Sequence, residues 1–166
     1  MALNFCNNNS LSAITALPTS ISGGALNLIS TSTASSSSNL SFTSGIDSTY
    51  KEYIFKYINL HPSANTPHLQ FQGNASGGSG FDETITSSFF EAYHAEGDGE
   101  AVVEYTAGGD LAQGTGFQRL LTEVNYSDDG SISGTLHLFD PSNTTFVKHF
   151  IGVSQAMFGP TNAPYS

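Results

Sequence analysis

The chain is short of charge, of basic residues above all, and of cysteine. Of its 166 residues only 11% are Asp, Glu, Lys or Arg, against about 25% in an ordinary soluble domain. The bases are Lys51, Lys56, Arg119 and Lys148, set against 14 acids for a formal net charge of −10. Nucleic-acid binding needs clustered Lys and Arg to neutralise phosphates, and four scattered bases supply no such cluster. An anionic membrane surface would repel the chain for the same reason. The acidity suits a basic partner or bound cations, although solubility alone accounts for it. The single Cys6 cannot close an internal disulfide, which fits synthesis in a reducing cytoplasm. Long hydrophobic runs are missing too. Residues 11–29 are interrupted by Pro18, Gly23 and Gly24, and a membrane span needs about 20 largely apolar residues. With no basic stretch leading into an apolar run, no secretory signal is expected.

What is present is aromatic and neutral-polar. Twelve Phe and seven Tyr are more than a disordered chain carries. Ser, Thr, Asn and Gly replace the missing charges, so the surface is hydrated by neutral hydrogen-bonding groups. The length suits one core with an added tail.

Residues 1–24 differ from the rest. Asn7, Asn8, Asn9 and Ser10 form a turn cluster, and Pro18, Gly23 and Gly24 break any long element. Leu11, Ile14, Leu17 and Ile21 are spaced without a sustained period. The segment reads either as a loose tail or as an arm that orders by burying these four side chains on another chain.

From residue 25 onward the pattern is strand and turn. Strands are expected at 26–31, at 39–43 and at 50–59, where Tyr53, Phe55 and Tyr57 alternate with Ile54, Lys56 and Ile58. Both faces of 50–59 are partly apolar, which predicts the centre of the sheet or a strand covered by a neighbouring subunit. Further strands are expected at 68–72, 85–93 and 101–106. The Gly-rich loop 73–80 has no Lys and no helix after it, so it does not read as a phosphate cradle. Asp128, Asp129 and Gly130 signal a hairpin joining a strand at 117–125 to one at 131–139, with Ile132, Leu136 and Leu138 on one face. Asp140, Pro141, Ser142 and Asn143 then turn the chain into a strand at 145–151. Residues 153–166 read as a loop or tail.

No motif for chemistry stands out. The five histidines, His61, His68, His94, His137 and His149, lack paired metal-ligand spacing. His137 and His149 are placed to face each other across the last hairpin, as a polar pair or, less simply, as metal ligands. Glu96, Asp98 and Glu100 lack the spacing of a Ca²⁺ loop, and no G-x-S-x-G occurs. No cofactor, metal site or catalytic residue is therefore expected. Tyr93, Tyr105, Tyr126 and Phe81 are candidates for sugar stacking or, more simply, for a core or subunit interface.

Three stretches carry a resemblance. They are 7–18, beginning NNNS; 42–53, FTSGIDSTYKEY; and 128–150, which contains DDG, LHLFDPS and KHF. Together they resemble small structural proteins of the particles of marine and cyanobacterial tailed bacteriophages. The resemblance implies a virion protein, part of a tail fibre, spike or capsid decoration, made in the host cytoplasm. It implies no catalytic residues. Chains of this kind continue with further strands past the position of Ser166, so either this member is short, or the sequence is incomplete, or a partner supplies those strands. Residues and resemblance together predict an all-β chain. An N-terminal arm spans 1–24, an antiparallel, jelly-roll-like β-sandwich 25–152, and a tail 153–166. The partners expected are other virion proteins, reached through the arm, and further copies of the chain in a trimer. Nucleic acid and membrane insertion are not expected. The alternative is a carbohydrate-binding module that attaches to host surface glycans.

Overall fold

A computed structural model of the chain describes residues 26–64, 68–94, 97–122 and 130–157. The chain divides into two compact units, Met1–Thr33 and Ala34–Ser166. The expected arm, with Leu11, Ile14, Leu17 and Ile21, lies outside the described residues. So do Tyr126 and the Asp128-Asp129 turn. In the first unit, residues 26–33 carry no strand, and Leu26, Leu28 and Ile29 are exposed. The strand expected at 26–31 is thus corrected: β-prone residues make a strand only where a neighbour completes the ladder.

The second unit is all-β, and no helix occurs among its described residues. Its strands are β1 (Glu52–Leu60), β2 (Leu69–Phe71), β3 (Ile85–Thr86), β4 (Phe90–His94), β5 (Ala101–Tyr105), β6 (Ala112–Gly114), β7 (Gln118–Leu121), β8 (Ile132–Phe139) and β9 (His149–Ala156). All described pairings are antiparallel: a three-stranded sheet β1-β8-β9 and the pairs β2-β7, β3-β6 and β4-β5.

The three-stranded sheet holds the core. Tyr53, Phe55 and Tyr57 of β1 sit opposite Leu138, Leu136 and Gly134 of β8, and these sit opposite Phe150, Gly152 and Ser154 of β9. Pleating puts this whole set on one face. Tyr53, Ile132 and Leu136 are the buried apolar residues among those described. Two pieces of chain cover the face. Residues 42–50 lie over β1, where Phe42 meets Phe55 edge-on at 5.6 Å and Tyr50 meets Tyr53 at 5.8 Å. The Tyr53 hydroxyl accepts from the Asp47 amide and donates to the Asp47 carbonyl, both at 2.9 Å. The pair β2-β7 covers β9: Phe71 packs edge-on against Phe150 at 5.0 Å, and Leu120 occupies the space beside Gly152.

Several expectations are corrected. The 50–59 strand exists, but β8 takes the centre of the sheet and β1 its edge. Residues 39–43 are irregular; Phe42 meets Phe55 but stays exposed and makes no ladder. The 35–38 serines are part of the reason, because their side chains bond locally, as Ser37 Oγ does to the Ser35 carbonyl. The 85–93 strand is split by Ser87, whose amide donates to the Leu111 carbonyl at 2.9 Å. The hairpin expected between 117–125 and 131–139 does not form. A strand has two edges, β8 gives both to β1 and β9, and β7 pairs with β2 instead.

The last strand starts late and runs long. Asn143 Oδ1 accepts from the amides of Thr145 and Phe146 at 2.7 and 3.0 Å, and Lys148 Nζ donates to the carbonyls of Asn143 and Phe146. These bonds hold the chain in a turn until His149. Asp140 anchors the turn's start at a positive φ of 44°. Its amide donates to the Lys51 carbonyl at 2.7 Å and its carboxylate pairs with Lys51 Nζ at 2.9 Å. The Asn143 side-chain amide, and after it Lys51, hold the Asp140 carboxyl below the ordinary aspartate value. The Thr49 hydroxyl and amide, and then Tyr53, do the same for Asp47. A depressed folded value means that the stabilisation is present above the unfolded pKa, about 4, and is lost as pH falls through the folded one. The urea midpoint should therefore hold steady from pH 7 to 5 and fall below about pH 4. Asp140→Asn, which the positive φ tolerates, should flatten part of that fall; an unchanged acid limb would show that the turn does not contribute.

Candidate interaction surfaces

The hairpin β4-β5 is a two-stranded sheet of its own, with Phe90 opposite Tyr105, Ala92 opposite Val103 and His94 opposite Ala101. These six side chains share one face. All six are exposed, Val103 at 81% and Phe90 at 67%. Phe90 and Tyr105 meet edge-on, 5.2 Å apart at 79°. The Tyr105 hydroxyl donates to the Asp110 carboxylate, and that bond, more than desolvation, raises the Tyr105 pKa. At the turn end, His94 Nε2 lies 3.0 Å from Asp98, with exposed Glu100 beside Ala101. The result is an apolar strip with a carboxylate at either end.

The other face of the hairpin is tied to the chain. Glu91 accepts from the Thr106 hydroxyl at 2.7 Å and from the Thr122 hydroxyl. Tyr93 is on this face and half-buried. The structure therefore separates two of the sequence candidates: Tyr105 faces solvent and Tyr93 does not. Phe81 is exposed in the loop before β3. Phe90 and Val103, which complete the open strip, went unselected in the sequence reading. The signal for them was the alternation of 90–94 and 101–105 about the Gly97-Asp98-Gly99 turn.

Bonded to the segments that flank this hairpin is Gln118, 1% exposed and the most buried polar residue described. Its Nε2 donates to the carbonyls of Gly109 (2.8 Å) and Arg119 (2.9 Å), and its Oε1 accepts from Ser87 Oγ at 2.6 Å. Ser87 Oγ in turn accepts from the Leu111 amide at 2.9 Å. One amide thus joins β7 to the segments leading into β4 and out of β5. Nothing in the sequence marks it out from the other glutamines.

A second open face is the outer side of β1-β8-β9. Pleating places Ile54, Lys56 and Ile58 there with His137 and, from β9, Ile151 and Val153; Ile54 pairs with His137 and His137 with Ile151. Ile58 is 72% exposed, and Ile151 and Val153 are exposed as well. Among the described residues Lys56 has no ion-pair partner. The expected His137–His149 pair is corrected by the register, which sets His149 against Phe139. His137 instead bonds Glu52 at 2.6 Å. Among the described residues no three His, Cys, Asp or Glu side chains come together in a way that could hold a metal ion.

Comparison with protein-family models, with curated proteins and with solved structures finds no match for this chain.

Proposed function

We propose that this chain is a structural protein of a tailed-bacteriophage particle, without enzymatic activity. In this reading it is made in the host cytoplasm and carried on the virion as part of a tail fibre, spike or capsid decoration. The arm 1–24 anchors it by burying Leu11, Ile14, Leu17 and Ile21 on another virion protein, and copies of the chain associate as a trimer. The observation that carries the reading is the uncovered strand surface. Among the described residues three apolar side chains are buried, while two strand faces expose large apolar residues, Phe90, Val103 and Tyr105 on one and Ile58, Ile151 and Val153 on the other. Exposed apolar patches of this kind mark surfaces that other proteins cover. The resemblance of 42–53 and 128–150 to phage particle proteins points to which proteins those are. The packing of β1-β8-β9 over β2-β7 through Phe150 and Phe71 supports a sandwich, jelly-roll-like in its connections.

The test is deletion of residues 1–24. The shortened chain should keep its β-sheet circular dichroism and its cooperative unfolding, and should be missing from particles purified from cells that make it. Incorporation at the full-length level would sink the anchoring role.

Host-glycan recognition has one observation in its favour, the exposed Tyr105 beside the Asp110 carboxylate. The edge-on Phe90 ring and the engaged hydroxyl leave no flat, open platform for a sugar, so the structural reading stands first. Hits on a glycan array with the purified domain would reverse that order.

A further inference from the structure

The two open faces differ in charge. The β4-β5 strip is apolar and ends in carboxylates, Asp110 beside Tyr105 and Asp98 with Glu100 at the turn. Between Lys56 and Arg119 the chain has acids and no Lys or Arg; the Arg119 guanidinium lies by Gly108, on the Asp110 side, and His94 lies against Asp98, so Glu100 is the acid with no base beside it among the described residues. The outer face of β1-β8-β9 has Ile58, Ile151 and Val153 exposed and Lys56 at its middle, with the Glu52 carboxylate at one end, bonded to His137. Each face is a poor match for itself. Strip on strip brings Asp98, Glu100 and Asp110 against the same acids, and sheet on sheet brings Lys56 against Lys56 while Glu52 of each copy is engaged by His137; like charges brought together in this way suppress association. Strip on sheet matches apolar to apolar and carboxylate to ammonium.

A two-stranded hairpin is also marginal in water unless something packs on it. The inner face of β4-β5 is held through Glu91, and the outer strip has no cover from the described residues. A covering partner must bring apolar side chains and a cation, and the outer sheet face of another copy has both.

We propose that copies of this chain associate head to tail. The Phe90–Val103–Tyr105 strip of one copy docks on the Ile151–Val153 face of the next, and Lys56 of that copy lies between the strip's carboxylates. A contact between two different faces is heterologous. Repeated, it closes into a ring when the rotation allows, and three copies close it here. This specifies the surfaces of the trimer proposed above, and it rests on that part of the functional reading alone.

The test uses the full chain and two single substitutions at exposed positions, Val103→Glu and Ile151→Glu, each checked for wild-type circular dichroism and thermal unfolding. In sedimentation velocity the wild type should run as a trimer and each variant alone as a monomer. Mixed in equal amounts, the variants should form a 1:1 heterodimer. The Val103→Glu copy still has a sound sheet face, the Ile151→Glu copy a sound strip, and the one good contact cannot propagate. An isologous interface gives no such rescue. A wild-type trimer whose mixed variants stay monomeric would overturn the head-to-tail assignment and leave the trimer intact; a wild type that runs as a monomer or a dimer would overturn both. Lys56→Glu should weaken association about tenfold or more, a loss that Glu100→Lys restores in part; the absence of any effect would remove Lys56 from the contact.

Discussion

Gly134→Ala should lower the stability of the β domain by about 3 kcal/mol, which for a small domain is a large part of the whole. Gly134 is in β8, the middle strand of the three-stranded sheet. A Cβ there would lie 2.2 Å from the Val153 carbonyl oxygen and 2.7 Å from both the ring edge and the hydroxyl of Tyr57. The carbonyl belongs to the backbone of the neighbouring strand and cannot turn aside without spoiling the ladder. Tyr57 can move, but it lies across the glycine because its hydroxyl bonds Ser154 Oγ at 2.6 Å and the Val153 carbonyl at 3.3 Å. Swinging it out gives up those bonds and exposes the ring, whose hydroxyl is buried enough for desolvation to raise its pKa. Gly116→Ala is the control. Nothing lies within 4 Å of the added carbon, and its cost should stay within about 0.5 kcal/mol. Urea unfolding followed by circular dichroism measures both; equal midpoints would show that the tyrosine does not depend on the bare glycine.

Gln118→Leu should cost about 3 to 4 kcal/mol, although the shapes are similar. The change leaves the Gly109 carbonyl and the Ser87 hydroxyl without the amide that now serves both. A buried group that loses its partner carries the full desolvation penalty. Because Ser87 and Gly109 lie on the approaches to β4 and from β5, the loss should reach the hairpin strip: amide hydrogen exchange in 90–94 and 101–105 should rise more than in β8. Gln118→Glu separates charge from shape. One carboxylate oxygen can still accept from Ser87, but the other confronts the Gly109 carbonyl unless it is protonated. Folding would then favour the protonated acid and raise its pKa, so the stability it keeps at low pH is lost as pH rises. Relative to wild type this variant should be weaker at pH 8 than at pH 5. The same deficit at both pH values would mean that the amide is hydrated in the folded state.

The all-β class was legible because it rests on local signals: alternation in 50–59 and 131–139, and β-branched and aromatic residues between Gly and Asn turns. The core face of β8 was legible for the same reason, and Ile132 and Leu136 are buried as the alternation requires. Strand pairing was not legible. Alternation shows that a strand has two faces, but not which strands take its two edges, so β7 reads equally well as a partner of β8 or of β2. The start of the last strand was hidden for a related reason. Thr145, Phe146 and Val147 have strand propensity, but the Asn143 side chain takes the amides that a ladder would need. At the candidate surfaces Tyr105 was legible as an aromatic near a strand end. Its separation from Tyr93 follows from a pairing register that no local pattern fixes. Gln118 was invisible, since a buried amide differs from a surface one only in what surrounds it.

On the proposed reading, other chains cover the outer faces of this fold. The β domain has three buried apolar side chains among its described residues and two open faces that expose apolar residues, and in that reading it is half of a larger structure. The proposal places the other half in a phage particle, on a framework protein reached by the arm and on further copies of the same chain. The most direct measurement is gold labelling, by electron microscopy, of purified particles from cells that make this chain, with an antibody against residues 34–157. The account predicts label at fixed, repeated positions on tail or capsid, and no label on particles assembled with the 1–24 deletion. Particles that carry no label although the full-length protein is abundant in the same cells would contradict it.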